Sequence, residues 1–140
     1  MEKYTALILS DDTDMKMFFQ KHFPESFFLI EKKYPSEVYA IAETTNLDMI
    51  FIDDKIDNPL DLCFQLKKRK RLFTLPIILI TENLKKTYKQ KAIKAGVFDF
   101  LYHPLNEDDF FKILQKCKDE KKRIKKISSL SEKIQNKKFN

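Results

Sequence analysis

Cysteine, histidine and glycine are scarce in this chain, and each scarcity removes a class of protein. Its two cysteines, Cys63 and Cys117, lie far apart without CxxC spacing, so no disulfide framework is expected and both are read as buried free thiols. Such thiols suit a reducing cytoplasm. The two histidines are grouped neither with each other nor with a cysteine, which leaves no zinc site. No apolar run approaches the roughly 20 residues that span a bilayer. The opening stretch, MEKYTALIL, is too short and too acidic at its start for a secretory signal. An evenly spread basic charge is missing as well. The net charge is +6, but residues 118–140 carry nine Lys/Arg against three Asp/Glu, which leaves 18 of each sign in residues 1–117. A nucleic-acid-binding domain more often shows a basic stripe on its folded body, so nucleic acid is not expected as a partner of this chain alone.

What is present is a body of alternating strands and helices. Tyr4–Leu9 reads as a first strand, followed by helical spacing over Asp14–Phe23 with Met15, Phe18, Phe19 and Phe23 on one side. Phe27–Ile30 is a second strand, and Pro35-Ser36 opens a helix through Ala42 with Ser36 as its N-cap. Met49–Ile52 is a third strand, followed by a helix over Leu60–Lys70 with Leu62, Phe64 and Leu66 inward. Pro76–Ile80 is a fourth strand, and a helix over Leu84–Ala95 ends at Gly96, the only glycine in the chain. Phe98–Tyr102 is a fifth strand. Asn106 then caps a helix whose first turn holds Glu107, Asp108 and Asp109, favourable at the positive helix end. Repeated βα units of this kind imply an α/β fold with a doubly wound, five-stranded parallel sheet.

Two of the apolar runs end in acids. ALILSDD stops at Asp11 and Asp12, and MIFIDD stops at Asp53 and Asp54. In doubly wound sheets ligands bind at the carboxyl ends of the strands, near the switch in strand order. Asp11, Asp12, Asp53, Thr81 and His103 all fall near such ends, after the first, third, fourth and fifth strands. Crowded carboxylates tolerate one another around a hard cation, and oxygen ligands with open water positions suit Mg²⁺. An Asp in that setting can attack phosphorus and carry an acyl phosphate. Thr81 can donate a hydrogen bond to a phosphoryl oxygen. Each residue also has a plain structural reading: Asp11 and Asp12 as helix N-caps, Asp54 as a solvated acid, His103-Pro104 as a turn.

The chain resembles the receiver domain of two-component response regulators, of the CheY type, over about residues 4–117. The segment LILSDD is similar to that family's acidic pair, DMIFID to the segment ending on the phosphoacceptor, LPIILITEN to the segment with the switch hydroxyl, and AGVFDFLYHPL to the segment ending in Lys-Pro. The resemblance implies a phosphoacceptor at Asp53 and switch residues at Thr81 and Phe100. It implies Mg²⁺ held by Asp12, Asp53 and the carbonyl of Lys55, with Asp11 close by through water. It implies a sensor histidine kinase or phosphotransfer protein as partner. Three departures stand out. His103 takes the place of the family's lysine. Asp57 and Asp61 take the places of a proline and a glycine, and Glu82 follows the switch hydroxyl, where a small residue is usual.

The function expected is therefore that of a signalling module and not of a turnover enzyme. It either accepts a phosphoryl group on Asp53 or acts as a degenerate, phosphorylation-independent receiver. A haloacid-dehalogenase-like phosphohydrolase is the rival, on Asp12-x-Asp14 after a strand, but Met15-Lys16 replaces the small and hydroxyl residues that such enzymes carry. The expected organisation is a receiver domain over residues 1–117 and a basic helical extension or linker over 118–140. In the extension Ile124, Ile127, Leu130 and Ile134 form an apolar stripe, open to self-association into a homodimer or to fraying at Ser128-Ser129.

Overall fold

A computed structural model describes residues 3–139, with side chains through Gln135. Residue 140, the end of the expected extension, lies outside the described residues. Five strands and five helices alternate: β1 (Tyr4–Leu9), α1 (Thr13–His22), β2 (Phe27–Lys32), α2 (Pro35–Thr44), β3 (Met49–Asp53), α3 (Pro59–Lys67), β4 (Ile77–Thr81), α4 (Lys86–Lys94), β5 (Asp99–Tyr102) and α5 (Glu107–Phe139). The strands form one parallel sheet in the order β2-β1-β3-β4-β5. The order reverses beside β1, so the gap between β1 and β3 is the switch point that a ligand site favours.

The central strands are apolar along most of their length, up to Asp53 and Thr81 at the rim, because both sheet faces are covered. Side chains alternate between two cores. Leu7, Leu9, Ile50, Ile52, Ile77 and Leu79 pack against α2, α3 and α4. Ala6, Ile8, Met49, Phe51, Ile78 and Ile80 pack against α1 and α5. In the second core, Phe19 meets Phe51 edge-on at 4.9 Å and Phe110 at 5.1 Å, with Phe23 5.2 Å from Phe110. Such edge-to-face pairs contribute beyond plain area burial, and they fill the volume in a chain without tryptophan.

Several expected boundaries shift, each for a local reason. Ser36 is not an N-cap: Pro35 occupies the first helical position, and the Glu37 carboxylate accepts from the Tyr34 N–H at 3.2 Å. α3 stops at Lys67 instead of Lys70, because the chain turns off the axis to bury Leu72 and Leu75. Phe64 lies on the outside of α3, with the Lys68 ammonium 4.4 Å from its ring, while Leu62, Cys63 and Leu66 point inward. α4 begins at Lys86, since Asn83 Oδ1 accepts from the Lys85 N–H at 2.9 Å and makes a turn that leaves Leu84 exposed. Gly96 closes α4 with φ of 101°, its N–H donating to Ile93 O at 3.0 Å and the Val97 N–H to Ala92 O at 3.1 Å. That double pattern is a Schellman motif.

α5 starts as expected, with the Asp109 N–H donating to Asn106 Oδ1 at 2.9 Å, and it runs through Ser128-Ser129 without a break. It stays against the body beyond Cys117. The Lys118 ammonium lies over the rings of Tyr4 and Phe27, Lys121 pairs with Asp48 at 2.7 Å, and Ile124 is half-buried. Beyond it Ile127, Leu130 and Ile134 are exposed. No described helix is long and apolar enough to cross a membrane.

Candidate phosphoacceptor site

β3 is buried along its whole length and ends on Asp53, whose side chain is only 1% exposed. A carboxylate at that depth needs donors. The Ser10 hydroxyl donates to Asp53 Oδ2 at 2.7 Å, and the Lys55 N–H donates to Oδ1 at 3.1 Å. Ser10 is itself fully buried, and its Oγ accepts from the Asp12 N–H at 3.0 Å. Asp12 Oδ1 in turn accepts from the Met15 N–H at 3.2 Å, so Asp12 caps α1. A chain of bonds thus joins the exit of β1 to the end of β3. Asp11 lies exposed beside it.

The other side of Asp53 is formed by β4 and β5. Asp53 stands opposite Ile80 in the β3–β4 register, which puts Thr81 one residue further out on the rim. Thr81 is fully buried, and its hydroxyl oxygen accepts from the Asn83 N–H at 2.9 Å, which turns its proton elsewhere. The His103 N–H donates to Thr81 O at 3.1 Å, carrying the β4–β5 ladder one residue past β5. His103 Nε2 is buried and has no hydrogen-bond partner. A buried nitrogen left in that state calls for a ligand or a partner.

Phe100 is 7% exposed and belongs to the core on the α4 side, stacked on Tyr102 with ring centroids 6.0 Å apart. Across the mouth, Lys55 Nζ lies 3.4 Å from Glu82 Oε1, both groups exposed. The hydrogen bond that Lys55 donates to Glu82, and the Glu82 charge, hold the Lys55 ammonium pKa above its ordinary value.

Among the described residues no group of three His, Cys, Asp or Glu side chains is poised to cage a metal ion. The acids that the Ser10 hydroxyl links on this rim are Asp12, through its backbone N–H, and Asp53, through its carboxylate, with the backbone of Lys55 beside them. Their carboxylate and carbonyl oxygens are hard, and so few of them leave positions for water. That set fits Mg²⁺, which keeps several waters and dehydrates reluctantly. It does not fit a metal that needs a full protein cage.

A family model described as the response regulator receiver domain matches residues 6–115. The chain belongs to that family. Histidine kinase P4 of Formosa agariphila is 22% identical over 127 residues, which are 89% of this chain and 9% of that protein. The chain therefore spans about a tenth of the length of this curated relative. A CheY-like response regulator receiver domain protein from Methanospirillum hungatei JF-1 superposes with a TM-score of 0.75 at 19% identity, covering 87% of this chain and 99% of that one. The receiver domain of a sensor histidine kinase from Pseudomonas aeruginosa PAO1 superposes with a TM-score of 0.69 at 18% identity, covering 81% of this chain and 96% of that one. That structure has a magnesium ion coordinated in its active-site cleft. At such identities the likeness is one of fold.

Within this receiver domain, two features went unread in the sequence. Ser10 reaches the Asp53 carboxylate; its signal in the sequence is a small polar residue interrupting the apolar run just before the acid pair. Asp54 was read as a solvated acid. It is half-buried and accepts from the Tyr88 hydroxyl of α4 at 3.1 Å. Burial, reinforced by the Asp54 charge, pushes the Tyr88 phenol well above its ordinary value, so the phenol stays a donor. No pattern in one sequence announces a bond between residues 34 apart in the chain.

Proposed function

We propose that this receiver domain accepts a phosphoryl group on Asp53 from the phosphohistidine of a sensor kinase or phosphotransfer protein. In that step an Asp53 oxygen attacks phosphorus, the P–N bond breaks, and the imidazole leaves with its electron pair. The observation that carries the reading is a buried carboxylate, Asp53, at the end of the central strand, on the same sheet rim as the buried Thr81 and as His103, whose Nε2 is buried and unpartnered. Thr81, its oxygen already accepting from Asn83, donates to a phosphoryl oxygen. His103 Nε2 supplies a further contact to the same group when it carries a proton. Mg²⁺ held by Asp12, Asp53 and the Lys55 carbonyl, with Asp11 nearby through water, would supply positive charge against the incoming phosphoryl oxygens. The setting is cytoplasmic, where such kinases present their phosphohistidine.

A degenerate receiver, working as an interaction module without phosphate, is the second reading. The Lys55–Glu82 pair across the mouth and the histidine in place of lysine favour it. Intact mass after incubation with Mg²⁺ and a small phosphodonor decides between the two. One phosphoryl group on the wild type and none on Asp53→Asn is expected. Phosphorylated Asp53→Asn would overturn the assignment, and an unmodified wild type with every donor would leave the degenerate reading.

The exposed stripe on α5 supports a homodimer through the helical extension. Ile127, Leu130 and Ile134 are exposed and share one face at spacings of three and four residues, continuing the stripe from the half-buried Ile124, while Lys122, Lys125 and Lys133 lie off that face by helical spacing. A second copy can therefore meet the stripe without bringing those charges together.

A further inference from the structure

The hydroxyl of Ser10 is fully committed. It accepts the Asp12 N–H at 3.0 Å, so its own proton is directed to Asp53 Oδ2, 2.7 Å away. Ser10 is 0% exposed, so water does not compete for either bond. The four residues before it, Ala6–Leu9, are all apolar and buried, and a serine following such a run costs desolvation unless it has a partner. The partner is the acceptor carboxylate. Ser10 also sits between the two acids proposed to hold the cation: one bond reaches the backbone of Asp12, the other the side chain of Asp53.

We propose that Ser10 is a positioning residue that takes the place of a cation when none is bound, holding the Asp53 carboxylate in its orientation while the site is free of metal. The inference rests on the reading of Asp53 as phosphoacceptor at a Mg²⁺ site. A hydrogen-bond donor and a cation both draw on the same anionic oxygens. A carboxylate polarised by a metal is a weaker acceptor, so the hydroxyl bond weakens when metal arrives. By linkage, the hydroxyl opposes the metal by the same factor. A receiver built in this way keeps its acceptor in place at low Mg²⁺ and binds the ion less tightly than the acids alone would dictate.

The test is calorimetric titration of Mg²⁺ into wild type, Ser10→Ala, Ser10→Thr and Asp53→Asn, with thermal melts of each at zero and saturating Mg²⁺. Ser10→Ala is expected to bind Mg²⁺ three- to tenfold more tightly than wild type and to show the larger Mg²⁺-induced rise in melting temperature. Ser10→Thr, which keeps the hydroxyl, is expected to return to the wild-type affinity. Asp53→Asn is expected to bind weakly or not at all. Equal or weaker Mg²⁺ affinity in Ser10→Ala, with wild-type binding intact and abolished by Asp53→Asn, overturns the role of Ser10 and leaves the site standing. No Mg²⁺ binding to any of the proteins overturns the site, and this inference with it. If Ser10→Ala does not fold, Ser10→Cys, a weaker donor, is expected to show the same direction. Wild-type affinity in Ser10→Cys then overturns the proposal.

Discussion

Replacing Gly96 by alanine tests whether the junction of α4 and β5 is built as tightly as its geometry implies. The residue sits at φ of 101°, where an L side chain is strained, at a cost of about 1–2 kcal/mol. A Cβ there would also run into Lys67 Cγ and lie 3.3 Å from Lys67 Cβ. Lys67 cannot simply swing aside, because its ammonium donates to Phe73 O at 3.0 Å and to Leu75 O. Relieving that overlap costs roughly 1–3 kcal/mol. The reduced freedom of the unfolded chain returns about 0.4–1 kcal/mol. The net expectation is a loss of about 2–3 kcal/mol, or a melting temperature lower by roughly 6–12 °C for a domain of this size. Urea and thermal melts measure it. In a Lys67→Ala background the same substitution should cost at least ~1 kcal/mol less, since the overlap with Lys67 Cγ is gone and only the backbone strain and the close Cβ contact remain. A loss under about 0.5 kcal/mol in the wild-type background would refute the reasoning. Equal costs in the two backgrounds would refute the collision and leave the strain.

The other predictions concern the extension and the thiols. Truncation after Cys117 removes the Lys121–Asp48 pair and the half-buried Ile124, so the remaining domain should stay folded, lose about 1 kcal/mol in urea melts, and sediment as a monomer. The full chain should sediment as a dimer, and two monomers would end the role of the stripe. Burial pushes Cys63 and Cys117 up from 9.0 to about 12. The unfolded chain therefore gives up these protons first. Stability from the thiols is full below pH 9 and falls between pH 9 and 12, by about 1.4 kcal/mol per pH unit for each thiol. Urea melts from pH 8 to 10.5 should show the decline, and it should be smaller in Cys117→Ala; an unchanged decline in that variant would sink the assignment.

The order of elements was legible in the chain because buried parallel strands read as apolar runs, and five such runs alternate with helical spacing. Gly96 was legible for a related reason: a lone glycine after a helical stretch is placed by its backbone. The rim residues Asp12, Asp53, Thr81 and His103 could be named because each follows an apolar run, and parallel topology brings strand ends together. Tertiary structure decided what those residues touch. Asp53 lies beside Ser10 because β1 and β3 are neighbours in a sheet whose order no single sequence states. Asp54 is held by Tyr88 because α4 crosses the rim. The helix boundaries also moved, since an Asx turn at Asn83 and the burial of Leu72 and Leu75 outweigh local periodicity. α5 follows the same division. The spacing of Ile124 through Ile134 left both a continued helix and fraying at Ser128-Ser129 open; the helix runs through, and its docking as far as Ile124 depends on where Asp48 and Tyr4 lie. Local spacing encodes which face of an element is apolar; the partner that covers the face, and the bond each buried polar group finds, are set by contacts between segments distant in sequence.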